Sequence, residues 1–347
     1  MLGQHRWALN LSTSIGLLGV AATSGLVVLA RHFVEEMSRP HALQDESLFE
    51  WKGPDPSPEP AVSYRRSLVF HTTDRTLLRG EFWAQPHPAP TVVICHGYRI
   101  TRSHLHPVAA LQYTLGYNVL LFDFRGHGES ESKATTGGNA EVRDLQAALV
   151  VASQQPETTP GKIIIYGFSM GAAVALLTPP HPQVAAIIVD SPYARSDEVI
   201  RRFVHWYLTM ATSAKPSLRH IRRAFPAIAW ATVAMSTIVF RFRFGHAMVA
   251  RPDASFKRWK ALSKNASSTN HIPILLIHNE KDPLIPISHA HQIVAKARTY
   301  NIPVETYYSD YAVHCGAYGY NPEQYVMVIQ EFLSRQLGDA FPRVTGA

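Results

Sequence analysis

Five apolar runs constrain what this chain can fold into: TVVICHG (91–97), NVLLFDFRG (118–126), KIIIYGFS (162–169), VAAIIVDSP (184–192) and PILLIHNEKD (273–282). Each is nearly continuous in its apolar residues and does not alternate with polar ones. Strands buried on both faces have this pattern, and they belong to parallel sheets covered by helices. Helical segments lie between them, including AEVRDLQAALVVASQ (140–154) and SHAHQIVAKARTY (288–300). SLVFHT and LLRGEFWAQ predict an antiparallel opening pair with Asp74-Arg75 in the turn. VETYYSD predicts a last strand and PEQYVMVIQEFLSRQL a closing helix. The alternation predicts an α/β fold with a doubly wound, mostly parallel sheet over 63–192 and 273–340. A chain of 347 residues, 46% of them hydrophobic, can fill such a core.

The rhythm breaks once. About eighty residues, 193–272, separate two strands that a short crossover could join. Within them FPAIAWATVAMSTIVF (225–240) is strongly apolar and flanked by Arg222, Arg223, Arg241 and Arg243. Sixteen residues with Pro226 among them are short for a membrane span. The interval reads as an inserted helical cap over the C-terminal edge of the strands. Its apolar helix and arginine rim either rest on a membrane surface or pack against the core. Charge is concentrated in the same region: residues 195–258 carry twelve Lys/Arg against three acids, a net +9, which leaves −2 for the rest of a chain of net +7. The basicity is therefore local.

Leu11–Ala30 reads LSTSIGLLGVAATSGLVVLA, twenty residues without a charge, which is long enough to cross a bilayer. Residues 1–40 are expected to form an N-terminal transmembrane anchor. The alternative is a signal peptide cleaved near Val28-Leu29-Ala30, leaving an exported protein. Arg6, Arg31 and Arg39 flank the stretch too evenly to orient it. GPDPSPEPAV follows, within a proline-rich linker at 41–62 that stiffens a spacer.

The run at 162–169 ends in GFSMG, with Ser169 between Gly167 and Gly171, and an alanine-rich helical stretch follows. A G-x-S-x-G step from strand to helix makes a sharp turn with the serine in a strained conformation at its apex. The hydroxyl then stands beside a helix start, where amides and dipole favour negative charge. A serine nucleophile needs a base, and the base an orienting carboxylate, expected at the ends of later strands in the order Ser…Asp…His. Asp282 lies just beyond the run at 273–282, and His314 follows the last strand in YYSDYAVHCGAYGY. Asp310 is the rival acid, but it neighbours the histidine instead of ending the preceding strand. The oxyanion hole is expected from the backbone amides of Tyr98, in CHGYR after the first parallel strand, and Met170. His96 reads as a structural residue of that turn. Cys95 and Cys315 fit no disulfide framework or zinc spacing and read as small residues near a site.

Five segments in this order resemble the α/β-hydrolase superfamily over roughly residues 65–336: HGY (96–98), DFRGHGES (123–130), GFSMG (167–171), HNEKDPLIP (278–286) and VHCGAY (313–318). The branch they look most like holds esterases, lysophospholipases and monoacylglycerol-lipase-like serine hydrolases, some of them membrane-tethered. The resemblance implies an α/β-hydrolase fold, with Ser169 as nucleophile, Asp282 as acid and His314 as base. Ala312 departs from a glycine common two residues before the histidine, a small change. The cap and the N-terminus match no family pattern, so substrate identity does not carry over.

The expected chemistry is acyl-ester hydrolysis through an acyl-enzyme, with no cofactor or metal. Tether, apolar cap and basic rim suggest a lipid-like acyl ester as substrate and a membrane as partner. A peptidase or acyltransferase on the same fold, and a catalytically inactive binding module, are the alternatives. Dehalogenase and epoxide hydrolase chemistry normally needs an aspartate at the elbow. Gly126-His127-Gly128 continues as Glu-Ser, so no dinucleotide fingerprint is present. His104-x-His106 and His289-x-His291 do not share a helix face and read as surface histidines. The basic block matches no nucleic-acid reader motif, so no nucleic-acid partner is expected.

Overall fold

In a computed structural model the described residues are 24–40, 64–213, 222–263 and 271–342. In chain order they form α1 (24–38), β1 (Arg65–His71), β2 (Leu77–Trp83), β3 (Ala89–Cys95), α2 (His106–Thr114), β4 (Asn118–Phe122), α3 (Glu141–Ser153), β5 (Thr158–Phe168), α4 (Met170–Leu177) and β6 (Val184–Asp190). There follow α5 (Ser196–Ser213), α6 (Phe225–Phe244), α7 (Pro252–Ser263), β7 (Ile274–Asn279), α8 (Ser288–Thr299), β8 (Val304–Ser309), α9 (Ala317–Tyr320) and α10 (Pro322–Leu337). They divide into two compact units, one of residues 39–196 and 249–347, the other of 1–38 and 197–248.

The first unit holds an eight-stranded sheet in the order β1-β2-β4-β3-β5-β6-β7-β8. β1–β2 and β2–β4 pair antiparallel and the other neighbours are parallel, as the sequence predicts. Burial explains the uninterrupted runs: every residue of β3, β4 and β7 is buried. Ile163 and Ile165 face one apolar layer with α3, α4, α7 and α8. Ile164, Tyr166 and Phe168 face the other, with α2 and α10. Each large side chain so buried contributes about 1.5–3 kcal/mol. β5 is longer than the predicted run, because the chain from Thr158 already pairs with Ala89.

The expected cap at 193–272 divides more narrowly. Phe256 and Trp259 of α7 are buried in the sheet's own apolar layer, so α7 belongs to the first unit. The inserted part of the second unit is 197–248. There α6 runs four residues past the predicted apolar stretch and stops at Gly245, whose φ of 70° a side chain would strain. Among the described residues, Arg222–Phe244 is the one helix long and apolar enough to cross a membrane, and a third of its apolar window is buried.

Residues 11–23 of the predicted N-terminal span lie outside the described residues. The rest does not end at Ala30 but continues as α1 to residue 38. This helix is one-sided: Ala30, Val34 and Ser38, spaced by four, are buried while Arg31, His32, Glu35 and Glu36 are exposed. Val34 packs with Ile200, Val204, Val233 and Phe240, and Arg243 pairs with Glu35 at 3.1 Å. The described part is thus an amphipathic packing helix, not an apolar span.

Candidate active site

β5 delivers Ser169 at the position preceding α4, with φ 51° and ψ −111°, a region that non-glycine residues rarely occupy. Its N–H donates to Asp190 O at 2.9 Å, and its carbonyl accepts from Ala173 N at 3.0 Å. The flanking glycines are steric necessities. A Cβ on Gly167 would lie 2.6 Å from the Gly171 carbonyl and the Ala172 amide. A Cβ on Gly171 would lie 2.2 Å from Cys95 O and 2.6 Å from His96 O. The second contact brings the first turn of α4 against the end of β3, so the segments carrying the Met170 and Tyr98 amides meet.

Asp282 and His314 lie beyond β7 and β8 and are brought together. His314 Nδ1–H donates to Asp282 Oδ2 at 2.7 Å. Asp282 Oδ1 accepts from the amides of Leu284 and Ile285 at 2.8 and 2.9 Å. Burial alone would push this carboxyl up. The His314 hydrogen bond and charge, the Ile285 amide and the His278 charge outweigh it and hold Asp282 below the usual carboxylate range. The rival Asp310 is exposed and pairs with Lys281 at 2.6 Å. Of the two acids, Asp282 is the one that meets His314.

The 96–99 turn is pinned by two histidine rings. His96 Nε2 accepts from Phe124 N at 3.0 Å, which leaves its Nδ1–H to donate to Gly97 O at 2.7 Å. Burial pushes its pKa well down, so the ring is neutral. His127 Nε2 accepts from Arg99 N at 3.3 Å and its Nδ1–H donates to Arg125 O at 3.0 Å. Asp123 accepts from Arg102 N at 2.8 Å and Glu129 N at 3.1 Å. The structural role expected of His96 in this turn extends to His127 and Asp123, to which the sequence reading gave none, although DFRGHGES held the signal: buried polar side chains in a tight turn must bond their own backbone.

His314 is held from both sides. Asn279 Nδ2 donates to Val313 O at 2.5 Å, and Cys315 N donates to Ser191 Oγ at 3.2 Å. Burial pushes both thiols, Cys95 and Cys315, up and away from the reactive thiolate. Among the described residues no cluster of three or more His, Cys, Asp or Glu could hold a metal ion. A hydroxyl in a strained turn, a carboxylate-bound imidazole and a helix start make a set suited to nucleophilic acyl transfer.

Residues 86–314 match the family model described as serine aminopeptidase, S33. The uncharacterised protein YqkD of Bacillus subtilis is 29% identical over 252 residues, 72% of each chain. The uncharacterised protein Rv2307c of Mycobacterium tuberculosis is 34% identical over 155 residues, 44% of this chain and 54% of its own. The structure of the Pyrococcus furiosus esterase Pf2001 superposes with a TM-score of 0.61 at 23% identity, over 81% of this chain and 96% of that one. At that identity the likeness concerns the fold alone.

Proposed function

We propose a function from one premise: the chain belongs to the serine aminopeptidase S33 family of α/β hydrolases. It is a serine-hydrolase-type enzyme acting on a small-molecule substrate. We infer that it cleaves carboxylic esters with a lipid-like acyl chain. His314 takes the Ser169 proton as the hydroxyl attacks the acyl carbonyl, and Asp282 holds the imidazolium. The amides of Tyr98 and Met170 bind the oxyanion. His314 then protonates the leaving alcohol, and water, activated by the same imidazole, cleaves the acyl-enzyme and restores Ser169.

The observation that carries this reading is the Ser169 backbone. A non-glycine residue so strained costs about 1–3 kcal/mol and persists where its surroundings over-determine it, which clusters such residues at active sites. The family's description favours a second reading, removal of N-terminal residues from peptides. That chemistry must hold a free α-ammonium. Asp190 and Asp282, two buried carboxylates at the end of β6 and beyond β7, already accept two or more hydrogen bonds and are not spare to hold that ammonium, which supports a neutral acyl group instead.

The membrane part of the proposal rests on the second unit. α5 presents Phe203, Trp206, Tyr207 and Met210 outward, spaced i, i+3, i+4, i+7, beside its buried Ile200 and Val204. α6 exposes Trp230, Ile238 and Phe242 with Arg223 and Arg241 at its ends. Aromatic and aliphatic groups rimmed by arginine, in a segment of net +9, suit an anionic lipid surface. Membrane attachment through this unit, or through an anchor at 11–30, belongs to the same proposal.

The test is fluorophosphonate labelling of wild-type and Ser169→Ala protein with peptide mapping, followed by turnover of p-nitrophenyl esters of graded length and of aminoacyl anilides. Labelling at Ser169 alone, with turnover rising with acyl length, is expected. Anilides outrunning esters would establish the peptidase reading. No labelling in folded protein would overturn the hydrolase reading.

A further inference from the structure

Asp190 ends β6, carries no part of the proton transfer described above, and is buried. Its two ends bond in opposite directions. The backbone carbonyl accepts from the Ser169 amide at 2.9 Å and from the Cys315 thiol at 4.0 Å. The carboxylate accepts from Ser191 Oγ at 2.8 Å through Oδ1 and from the Tyr325 hydroxyl at 2.9 Å through Oδ2. Tyr325 in turn bonds the Tyr166 hydroxyl.

Donor counting fixes the direction of the chain. Because Tyr325 donates to Asp190, Tyr166 must donate to Tyr325. Because Ser191 donates to Asp190, its oxygen is turned to accept from Cys315 N–H. Every hydroxyl therefore points toward the carboxylate, which acts as the terminal acceptor of the network. The three residues joined through Asp190 are also strained: Ser169, Ser191 and Cys315 have φ of 51°, 53° and 54°. Cys315 follows the base in sequence, and the Val313 carbonyl on its other side is held by Asn279.

We propose that Asp190, acting through Ser191, is the positioning residue that sets the nucleophile and the base at reacting distance. Its carbonyl fixes the Ser169 turn, and its carboxylate orients the hydroxyl that fixes the peptide after His314. One rigid strand end thus carries both partners of the proton transfer. The proposal rests on the triad reading above and adds to it a residue that touches neither substrate nor reacting atoms.

The test uses the full chain with p-nitrophenyl butyrate and a fluorophosphonate probe. Ser191→Ala keeps the Cβ and removes the oriented hydroxyl. It should slow phosphonylation per labelled site, and kcat, by roughly 10–100-fold, with KM within about two-fold of wild type, since a misplacement of about 1 Å is costly to chemistry and not to binding. Tyr325→Phe, which leaves the ring in the core, should slow both by a smaller factor, roughly 3–10-fold, because the carboxylate keeps its other donor. A rate per labelled site within two-fold of wild type in both folded variants would overturn the proposal. So would a loss of activity that merely tracks the labelled fraction, which marks a structural role. Tyr325→Phe decides the matter if Ser191→Ala does not fold. Wild-type labelling at a residue other than Ser169 would overturn the triad reading as well.

Discussion

The two compact units treat their apolar residues in opposite ways. In the sheet unit every residue of β3 and β4 is buried, and the buried Asp282, His96 and Asp190 have hydrogen-bond partners there. The helical unit gathers a small core around Val34, Val204, Val233 and Phe240 and leaves Trp206, Trp230 and Phe242 at 54%, 64% and 87% exposure. A unit that buries its own surface holds side chains to fractions of an ångström, which chemistry requires. A unit with aromatic surface to spare suits the membrane attachment proposed above. The comparison sets the candidate site residues in one unit and the proposed membrane attachment in the other.

The largest expected effect tests the chemical side. Ser169→Ala should reduce ester turnover by at least about 10⁴-fold while leaving the thermal midpoint near that of wild type, because only a hydroxyl is lost. Appreciable turnover would move the chemistry elsewhere. Next comes a pair of variants. Asp282→Asn should lower kcat by about 10⁴-fold, since an amide can no longer hold the imidazolium. Asp310→Asn, at an exposed ion pair, should change kcat by less than about two-fold. Equal effects would cancel the distinction drawn from the Asp282–His314 bond.

The attachment side is tested by replacing Trp206 and Tyr207 together with Ser. Affinity for vesicles containing phosphatidylglycerol should fall about ten-fold or more relative to wild type, with kcat on a soluble ester unchanged. A change in kcat with vesicle affinity intact would break the comparison between the units.

The last effect is on stability and concerns Asp190. Burial pushes its carboxyl up to about 6; the Ser191 and Tyr325 hydroxyls and the His314 charge oppose this, while the Asp282 charge adds to it. The folded state therefore keeps a proton that the unfolded chain releases near pH 4. Between those values the folded state binds more protons, so stability falls as pH rises through the window and levels off above it. The unfolding free energy of wild type relative to Asp190→Asn should decline by roughly 2–3 kcal/mol from pH 4 to 7. A flat difference in urea titrations would mean that the carboxyl is not desolvated as its burial indicates.

Much of the sheet unit was legible because its signals are local. Continuous apolar runs mark two-sided burial, and GFSMG marks a turn that only glycines permit. The helical unit was less legible. In the sequence α1 reads as the end of an apolar span, because the spacing by four of Ala30, Val34 and Ser38 shows only once its buried face is known. α7 was taken for cap because its two anchoring aromatics, Phe256 and Trp259, sit among charged neighbours.

By itself the sequence determined the order of strands and helices, the elbow at Ser169 and the short list of acids and bases, since each depends on residues close together in the chain. Tertiary structure alone decided that Gly171 must face the end of β3 and that Asp190 joins the turns of Ser169 and Cys315. Those facts are distances between residues far apart in the chain, and only the packing of a buried sheet brings such residues within the few ångströms where hydrogen bonds form.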